Sequence, residues 1–408
     1  MRVLAYVYPG WHPIPERDES FYPGFTEWDL VTACRPRFDG HAQPKVPLWG
    51  TYDDRDPHEV GRRVALAAAH GVDGLVYGFF WCRGKRVFQD ALDLGFLGAP
   101  EGDTFPFALM WANRMPRRVL PVRRTDLPVI EDGRRVDSDE EDFVALIAYL
   151  AERYFRRDNY VTLGGLPYFS IFDSTFFVKE LGRESAARAI AAARRWMVDH
   201  GFPGLHLAAI EPAYDVIADV KSIGFDSVTN YVLLPEWKGP LVQDYDTMAR
   251  QRAGEWAGIA KAAGLPYSPA VSPGWDASPR AADFGAERPK KYPWSPVIVG
   301  ESPTAFADAL ARATRFARGA GQDEPMVFVS SLNEWSEGHY LEPDERFGMG
   351  WMQAVRDGRL LSGQTRSRTA AAPSPPAAQM PSSARFFPVR ASSFAIVVTM
   401  RAPVAPNG

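Results

Sequence analysis

The chain has 408 residues, with 46 lysines and arginines against 50 acidic residues and a net charge of −4, a balance that gives nucleic acid or an anionic membrane no electrostatic handle. Its two cysteines, Cys34 and Cys82, exclude a disulfide framework and a structural zinc cluster, and no apolar run approaches the ~18 residues of a membrane span. Met1-Arg2-Val3 leads directly into a strand-like segment without the apolar stretch of a signal peptide, so the expected compartment is the cytoplasm.

Short apolar segments rich in Val, Ile, Phe and Tyr alternate with helical patterns along the chain, the signature of parallel strands joined by helices. In chain order the strands are expected at Val3 to Tyr8, Gly74 to Phe80, Phe105 to Trp111, Pro167 to Phe172, Leu205 to Ile210, Ser227 to Tyr231, Tyr267 to Val271 and Met326 to Ser331. Helices are expected at Asp56 to His70, Ser138 to Phe155, Glu184 to His200, Tyr245 to Ala263 and Ser302 to Gly319. Asp56-Pro57 and Ser302-Pro303 read as an N-cap followed by a first-turn proline. Eight strands close a (β/α)₈ TIM-type barrel, which occupies roughly 250 to 350 residues. The rival, an open doubly wound sheet, normally places a Gly-rich phosphate turn after its first strand, where this chain has Pro9-Gly10-Trp11-His12-Pro13.

The first strand is followed by a long loop, Trp11 to Tyr52, dense in Pro, Gly and aromatics and without helical period. From Ser362 onward the composition shifts to Ala, Pro, Ser and Arg, so the expected organisation is a catalytic domain over 1–361 and a disordered tail over 362–408.

Barrels of this class carry their working groups at the carboxyl ends of the strands. That filter selects Trp11 and His12, Trp81, Trp111 and Asn113, Asp173, Glu211, Asn230 and Tyr231, Trp275 and Asp276, and finally Asn333, Glu334, Trp335 and Glu337. Carboxylates, amides and aromatics are what the movement of a glycosyl group needs: an acid, a base or nucleophile, and stacking walls. In Asn333-Glu334-Trp335-Ser336-Glu337-Gly338 a turn brings the two carboxylates to one side, and like charges that close push a proton onto one of them. Glu334 and Glu337 are therefore the expected catalytic pair. In the long loop, Glu27, Trp28, His41 and Gln43 place polar groups among aromatics and join the expected substrate contacts, although His41 also suits a loop histidine bonded to backbone. Asp53-Asp54-Arg55-Asp56 contains the Asp-x-Asp pattern with which nucleotide-sugar transferases hold a metal, but it better suits the cap of the helix beginning near Pro57.

These segments resemble the module related to glycoside hydrolase family 99, called WbsX-type in bacterial polysaccharide gene sets. The resemblance spans roughly residues 3 to 357 and rests on Tyr8-Pro9-Gly10-Trp11-His12-Pro13-Ile14-Pro15-Glu16, Gly24-Phe25-Thr26-Glu27-Trp28, Gly40-His41-Ala42-Gln43-Pro44, Gly71-Val72-Asp73-Gly74, Gly84-Lys85-Arg86, Trp111-Ala112-Asn113 and the Glu334 motif. It implies a (β/α)₈ barrel and a retaining endo-α-mannosidase-like activity without metal or other cofactor. One carboxylate deprotonates the sugar 2-hydroxyl, whose oxygen closes a 1,2-anhydro intermediate, and the other protonates the leaving oxygen and then activates water. By motif these are Glu334 and Glu337. The partner is then an oligosaccharide or polysaccharide. Two departures stand out: Asn113 is followed by Arg114-Met115-Pro116 in place of Glu-Asn-Trp, and Gly338 by His339 in place of threonine. Alternatives are a glycosyltransferase of surface polysaccharide assembly and a non-catalytic glycan-binding barrel.

Overall fold

The computed structural model describes residues 1–113, 138–284 and 292–363. Among these, eight parallel strands form a ring: β1 Arg2–Val7, β2 Gly74–Cys82, β3 Phe107–Trp111, β4 Leu166–Ile171, β5 His206–Ile210, β6 Ser227–Thr229, β7 in two pieces, Tyr267–Ser268 and Ala270–Val271, and β8 Met326–Val329. Neighbours are sequential, with Leu4 beside Gly74, Leu109 beside Phe169, Tyr168 beside His206 and Arg2 beside Met326. The break in β7 lies at Pro269, which has no N–H to give to a ladder. Its first piece pairs with β6 and its second with β8, so the break falls where the strand changes partner and the ring closes.

The strands are buried almost throughout because they face side chains inside the ring and helices outside it. Phe328 stacks on Tyr6 at 5.3 Å and on Tyr168, across the ring, at 6.1 Å. Those rings fill the interior, which is a packed core rather than a channel. The outer layer contains α3 Pro57–Ala69, α4 Glu140–Leu150, α5 Ser174–Leu181, α6 Arg183–Asp199, α7 Val220–Ile223, α8 Tyr245–Ala263, α9 Pro303–Gly319 and α10 Gly350–Gly363. Asp56 caps α3 by accepting from the N–H groups of His58 and Glu59, and Ser302 caps α9 by accepting from Ala305. Both caps follow the sequence reading.

Five helices depart from it. The loop after β1 contains two short helices, α1 Pro15–Ser20 and α2 Glu27–Ala33. The second begins with a capping box, in which Thr26 and Asp29 satisfy each other's backbone N–H groups, a signal that the aromatic density of the stretch obscured. Helices α5, α7 and α10 were not anticipated, and α10 runs to Gly363, two residues beyond the expected domain end at 361. The Arg114-Met115-Pro116 departure and the tail beyond Gly363 lie outside the described residues. Among the described residues no helix is long and apolar enough to cross a membrane.

Two asparagines tie neighbouring strand ends together at the carboxyl face. The Asn113 side chain donates to the carbonyl of Asp173 at 3.0 Å and accepts from its N–H at 2.8 Å, joining the exits of β3 and β4. Asn333 treats Tyr8 in the same way, at 2.9 and 2.8 Å, and joins the exits of β8 and β1. Replacing Asn113 by alanine leaves a buried donor and acceptor without partners, so urea denaturation at pH 7 is expected to show a loss of about 1 to 3 kcal/mol.

Candidate active site

Beyond β8 the chain makes a tight hairpin. Asn333–Glu334 pairs antiparallel with His339–Tyr340, and Trp335–Glu337 forms a single 3₁₀ turn between them. Gly338 closes the turn at φ 69°, and a Cβ there would stand 2.9 Å from the backbone of Asp276, so both conformation and space require glycine. This turn presents Glu334 and Glu337 to one group. The guanidinium of Arg280, in the loop after β7, donates from Nη2 to Glu334 Oε1 at 2.9 Å and from Nη1 to Glu337 Oε1 at 2.5 Å.

The same guanidinium is held from behind. Nε and Nη2 both donate to Glu27 Oε2, at 3.0 and 2.8 Å, and Glu27 also accepts from Arg17 at 2.7 Å and from the hydroxyls of Tyr8 and Ser336. Arg17 further donates to the carbonyl of Gly10 and to the Tyr8 hydroxyl, each at 2.6 Å. Arg17, Glu27 and Glu334 are fully buried, and Arg280 and Glu337 nearly so. Burial alone pushes the Glu27 carboxyl up, but Arg280, Arg17 and the two hydroxyls outweigh it and hold that carboxyl below its ordinary value. Burial lowers and the surrounding carboxylates raise the Arg280 guanidinium, with the carboxylates prevailing. The sequence reading has the two glutamates repel each other; the structure places a cation between them that offsets the repulsion.

Asp276 anchors the segment that carries Arg280. Its backbone N–H donates to the carbonyl of Glu337 at 2.8 Å, and its Oδ2 accepts from His41 at 2.8 Å and Gln43 at 2.6 Å. The backbone N–H of Arg37 donates to His41 Nδ1, so the proton of His41 resides on Nε2 and points at Asp276. The Arg37 side chain also donates to Ser278 Oγ at 2.7 Å. The Gly40-to-Pro44 motif thus fastens the loop after β1 to the loop after β7. His41 and Gln43 both meet Asp276, on the segment that leads to Arg280.

The remaining expected residues fall into three groups. Trp275 and Tyr231 flank the pair through His339: Trp275 lies parallel to its ring at 5.7 Å and Tyr231 meets it edge-on at 5.9 Å. Trp11, Trp28 and Trp335 form a packed row beside Glu27, with centroids 4.1 and 5.9 Å apart, and the Trp335 N–H donates to Glu342 at 2.6 Å. Trp81, Trp111 and Asn113 bond to other partners. The Trp81 N–H is taken by Asp142, the Trp111 N–H by the carbonyl of Trp81, and the Trp111 ring packs on Phe143 and Phe177 between strand and helix. Asn230 accepts from the Tyr267 hydroxyl.

Among the described residues, one group has ligand atoms close enough together for a cation, His12, Asp53 and Asp54, within 4.8 Å. Its atoms already serve one another: Asp54 accepts from His12 and from the N–H of Trp11, Asp53 is bound by Arg55, and Asp56 caps α3. The strand-end filter missed Arg17, Arg280 and Tyr292. Arg280 lies four residues beyond Asp276, where that filter stopped.

Burial pushes the Asp276 carboxyl up, but the hydrogen bond from His41 and the nearby Lys45 and Ser278 bring it down to about 2, below the ordinary 3.8. A depressed folded-state value means that this carboxylate stabilises fully above about pH 4 and loses its contribution as pH falls through 2. The stability difference between wild type and Asp276→Asn, measured by urea denaturation, is accordingly expected to be largest near pH 5 and to shrink by about 2 kcal/mol on approaching pH 2.

Comparison with known proteins places this geometry in a family. The family described as glycosyltransferase WbsX matches residues 3–355. Two WxcX proteins of Xanthomonas campestris pv. campestris are similar: the one from strain B100 is 30% identical over 371 residues, 87% of this chain and 49% of that protein, and the one from strain ATCC 33913 is 31% identical over 373 residues with the same coverage. The chain spans about half the length of the curated relatives it matches. Among solved structures, the endo-α-mannosidase of family GH99 from Bacteroides thetaiotaomicron superposes with a TM-score of 0.56 at 16% identity, over 88% of this chain and 98% of that one. A glycoside hydrolase-like protein superposes with a TM-score of 0.57 at 16% identity, over 88% and 93%. At that identity the likeness establishes the barrel fold, and the match over nearly the whole described chain establishes the family: the protein belongs to the WbsX glycosyltransferase family.

Proposed function

We propose that the chain is a glycan-active enzyme of the cytoplasm that breaks or transfers an α-glycosidic linkage of an oligosaccharide or polysaccharide, with Glu334 and Glu337 as the reacting pair. The observation that carries this reading is the burial of both carboxylates on one turn at the carboxyl end of β8, joined by a single arginine. Buried ionic clusters cost several kcal/mol per ion to desolvate, and apolar packing is usually at least as stable, so a cluster of this density at a strand end points to chemistry. The comparisons support the same reading by fold and family.

In this account Glu334, ionised beside Arg280, takes the proton of the sugar 2-hydroxyl, and that oxygen closes on the anomeric carbon. Glu337 protonates the departing oxygen and then takes a proton from the incoming water or sugar hydroxyl. Glu27 and Arg17 hold Arg280 so that both carboxylates keep their places, and Trp275 and Tyr231 supply aromatic surface next to Glu337. No step calls for a metal.

The family description favours a second form of the same chemistry, transfer of the glycosyl group to a sugar hydroxyl, and the resemblance to WbsX-type modules would set that transfer in surface polysaccharide assembly. Transfer from a nucleotide sugar through the Asp-x-Asp pair finds little support, since Asp54 is engaged by His12 and Asp56 by the start of α3. Hydrolysis of a panel of α-glycosyl fluorides and short α-glycosides, with and without an acceptor sugar, tests the reading. Turnover that falls at least ~100-fold in both Glu334→Gln and Glu337→Gln is expected. Folded wild type that turns over none of them would favour a glycan-binding barrel.

A further inference from the structure

Glu337 uses its two oxygens differently. Oε1 accepts from Arg280 Nη1 at 2.5 Å and from the Tyr292 hydroxyl at 2.7 Å, so a proton placed there would face two donors. Oε2 faces Nε2 of His339 at 3.2 Å, two residues further along the hairpin. His339 is fully buried, and its ring is fixed between the parallel face of Trp275 and the edge of Tyr231. An imidazole locked in that plane keeps Nε2 on the carboxylate. It can donate to Oε2 when Glu337 is ionised and accept from it when Glu337 is protonated, so the contact survives either placement of the proton.

We propose that His339 is the proton-holding partner of Glu337: the two share one proton along the Nε2–Oε2 edge, and His339 returns it to Oε2 when Glu337 acts as acid. This rests on the assignment of Glu337 given above. The transfer balances in two movements. The Nε2–H bond of the imidazolium breaks as Oε2–H forms; then Oε2–H breaks as the leaving oxygen gains the proton and the electron pair of its bond to the anomeric carbon. In the return half, the attacking hydroxyl gives its proton to Oε2 and from there to Nε2. Among the described residues, the groups that set this balance are Glu337 on the same hairpin, Arg280 and Tyr292 from the segment following β7, and Tyr231 beyond β6. Arg280 and Tyr292 hold Oε1 in its accepting state, which leaves Oε2 as the edge that carries the proton. His339 acts through Glu337 and is a positioning residue. It occupies the place where the resembled pattern has threonine, so the device distinguishes this chain from that pattern.

Two measurements test it. In ¹⁵N-histidine-labelled full-length protein, with the His339 signal identified by its loss in H339Q, the imidazole is expected to remain protonated to a pH at least about one unit higher in wild type than in E337Q. Equal midpoints in the two proteins would overturn the proposal, and this arm needs no substrate. The second arm compares H339Q and H339T with wild type on an α-glycosyl fluoride and on the matching alkyl α-glycoside. Fluoride departs with little help from an acid, whereas the alkyl oxygen requires a proton. Turnover of the alkyl glycoside is expected to fall at least ~10-fold more than that of the fluoride, with the alkaline limb of its pH profile moved to lower pH and KM little changed. Equal losses on both substrates with an unmoved profile would mean that His339 only packs. If no glycoside is turned over, the assignment of Glu337 fails, and the NMR arm still decides whether the shared proton exists.

Discussion

The arrangement at the carboxyl face depends on one cation, Arg280, set among three buried carboxylates. Its four hydrogen bonds to these carboxylates, two to Glu27 and one each to Glu334 and Glu337, use the planar fork of the guanidinium in a way that lysine could not. Removing that fork would leave three carboxylates and one remaining guanidinium, that of Arg17, in a space closed to water. The elements that surround the cluster are therefore arranged around the need to keep Arg280 in place. Asp276 fixes its segment, His41 and Gln43 fix Asp276, and Arg17 and Tyr8 fix the Glu27 that backs it.

This ordering explains why so much of the loop after β1 is polar and yet buried. Glu27, His41 and Gln43 lie on a stretch that crosses the mouth of the barrel from β1 to the segment beyond β7 and replaces water with fixed partners. Such preorganisation serves a reaction that develops charge, because the donors and acceptors need not reorient when it occurs. Trp11, Trp28 and Trp335 pack in a row on one another, while Trp275 and Tyr231 lie on His339, the neighbour of Glu337.

The barrel was legible because its cause is local. Each strand is a short β-branched and aromatic run between amphipathic helices, and all eight fell within a few residues of their expected places. Asp56 and Ser302 announced their helices by cap chemistry. The capping box at Thr26 was equally readable but was masked by the surrounding aromatics, and α5 is capped by Asp173, a residue assigned to the strand-end set rather than to a helix cap. The spacing of Glu334 and Glu337 led to the expectation that a turn brings the two carboxylates to one side, and the turn does so at Arg280. Arg280 itself could not be anticipated, since nothing in Ser278-Pro279-Arg280 marks one arginine among many until the fold brings it against three carboxylates. Trp81 and Trp111 bond to Asp142 and to the Trp81 carbonyl and pack on rings of α4 and α5, partners that position at a strand end does not announce.

Calorimetric titration with a basic iminosugar tests most directly whether the pair beneath Arg280 is a sugar-reacting centre, since its ammonium mimics the charge that develops at the anomeric carbon. Binding in wild type that weakens about tenfold or more in both Glu334→Gln and Glu337→Gln, with unchanged thermal unfolding, is the predicted result. Affinity that is indifferent to both substitutions would contradict the account, because the sugar would then be recognised somewhere other than at these carboxylates.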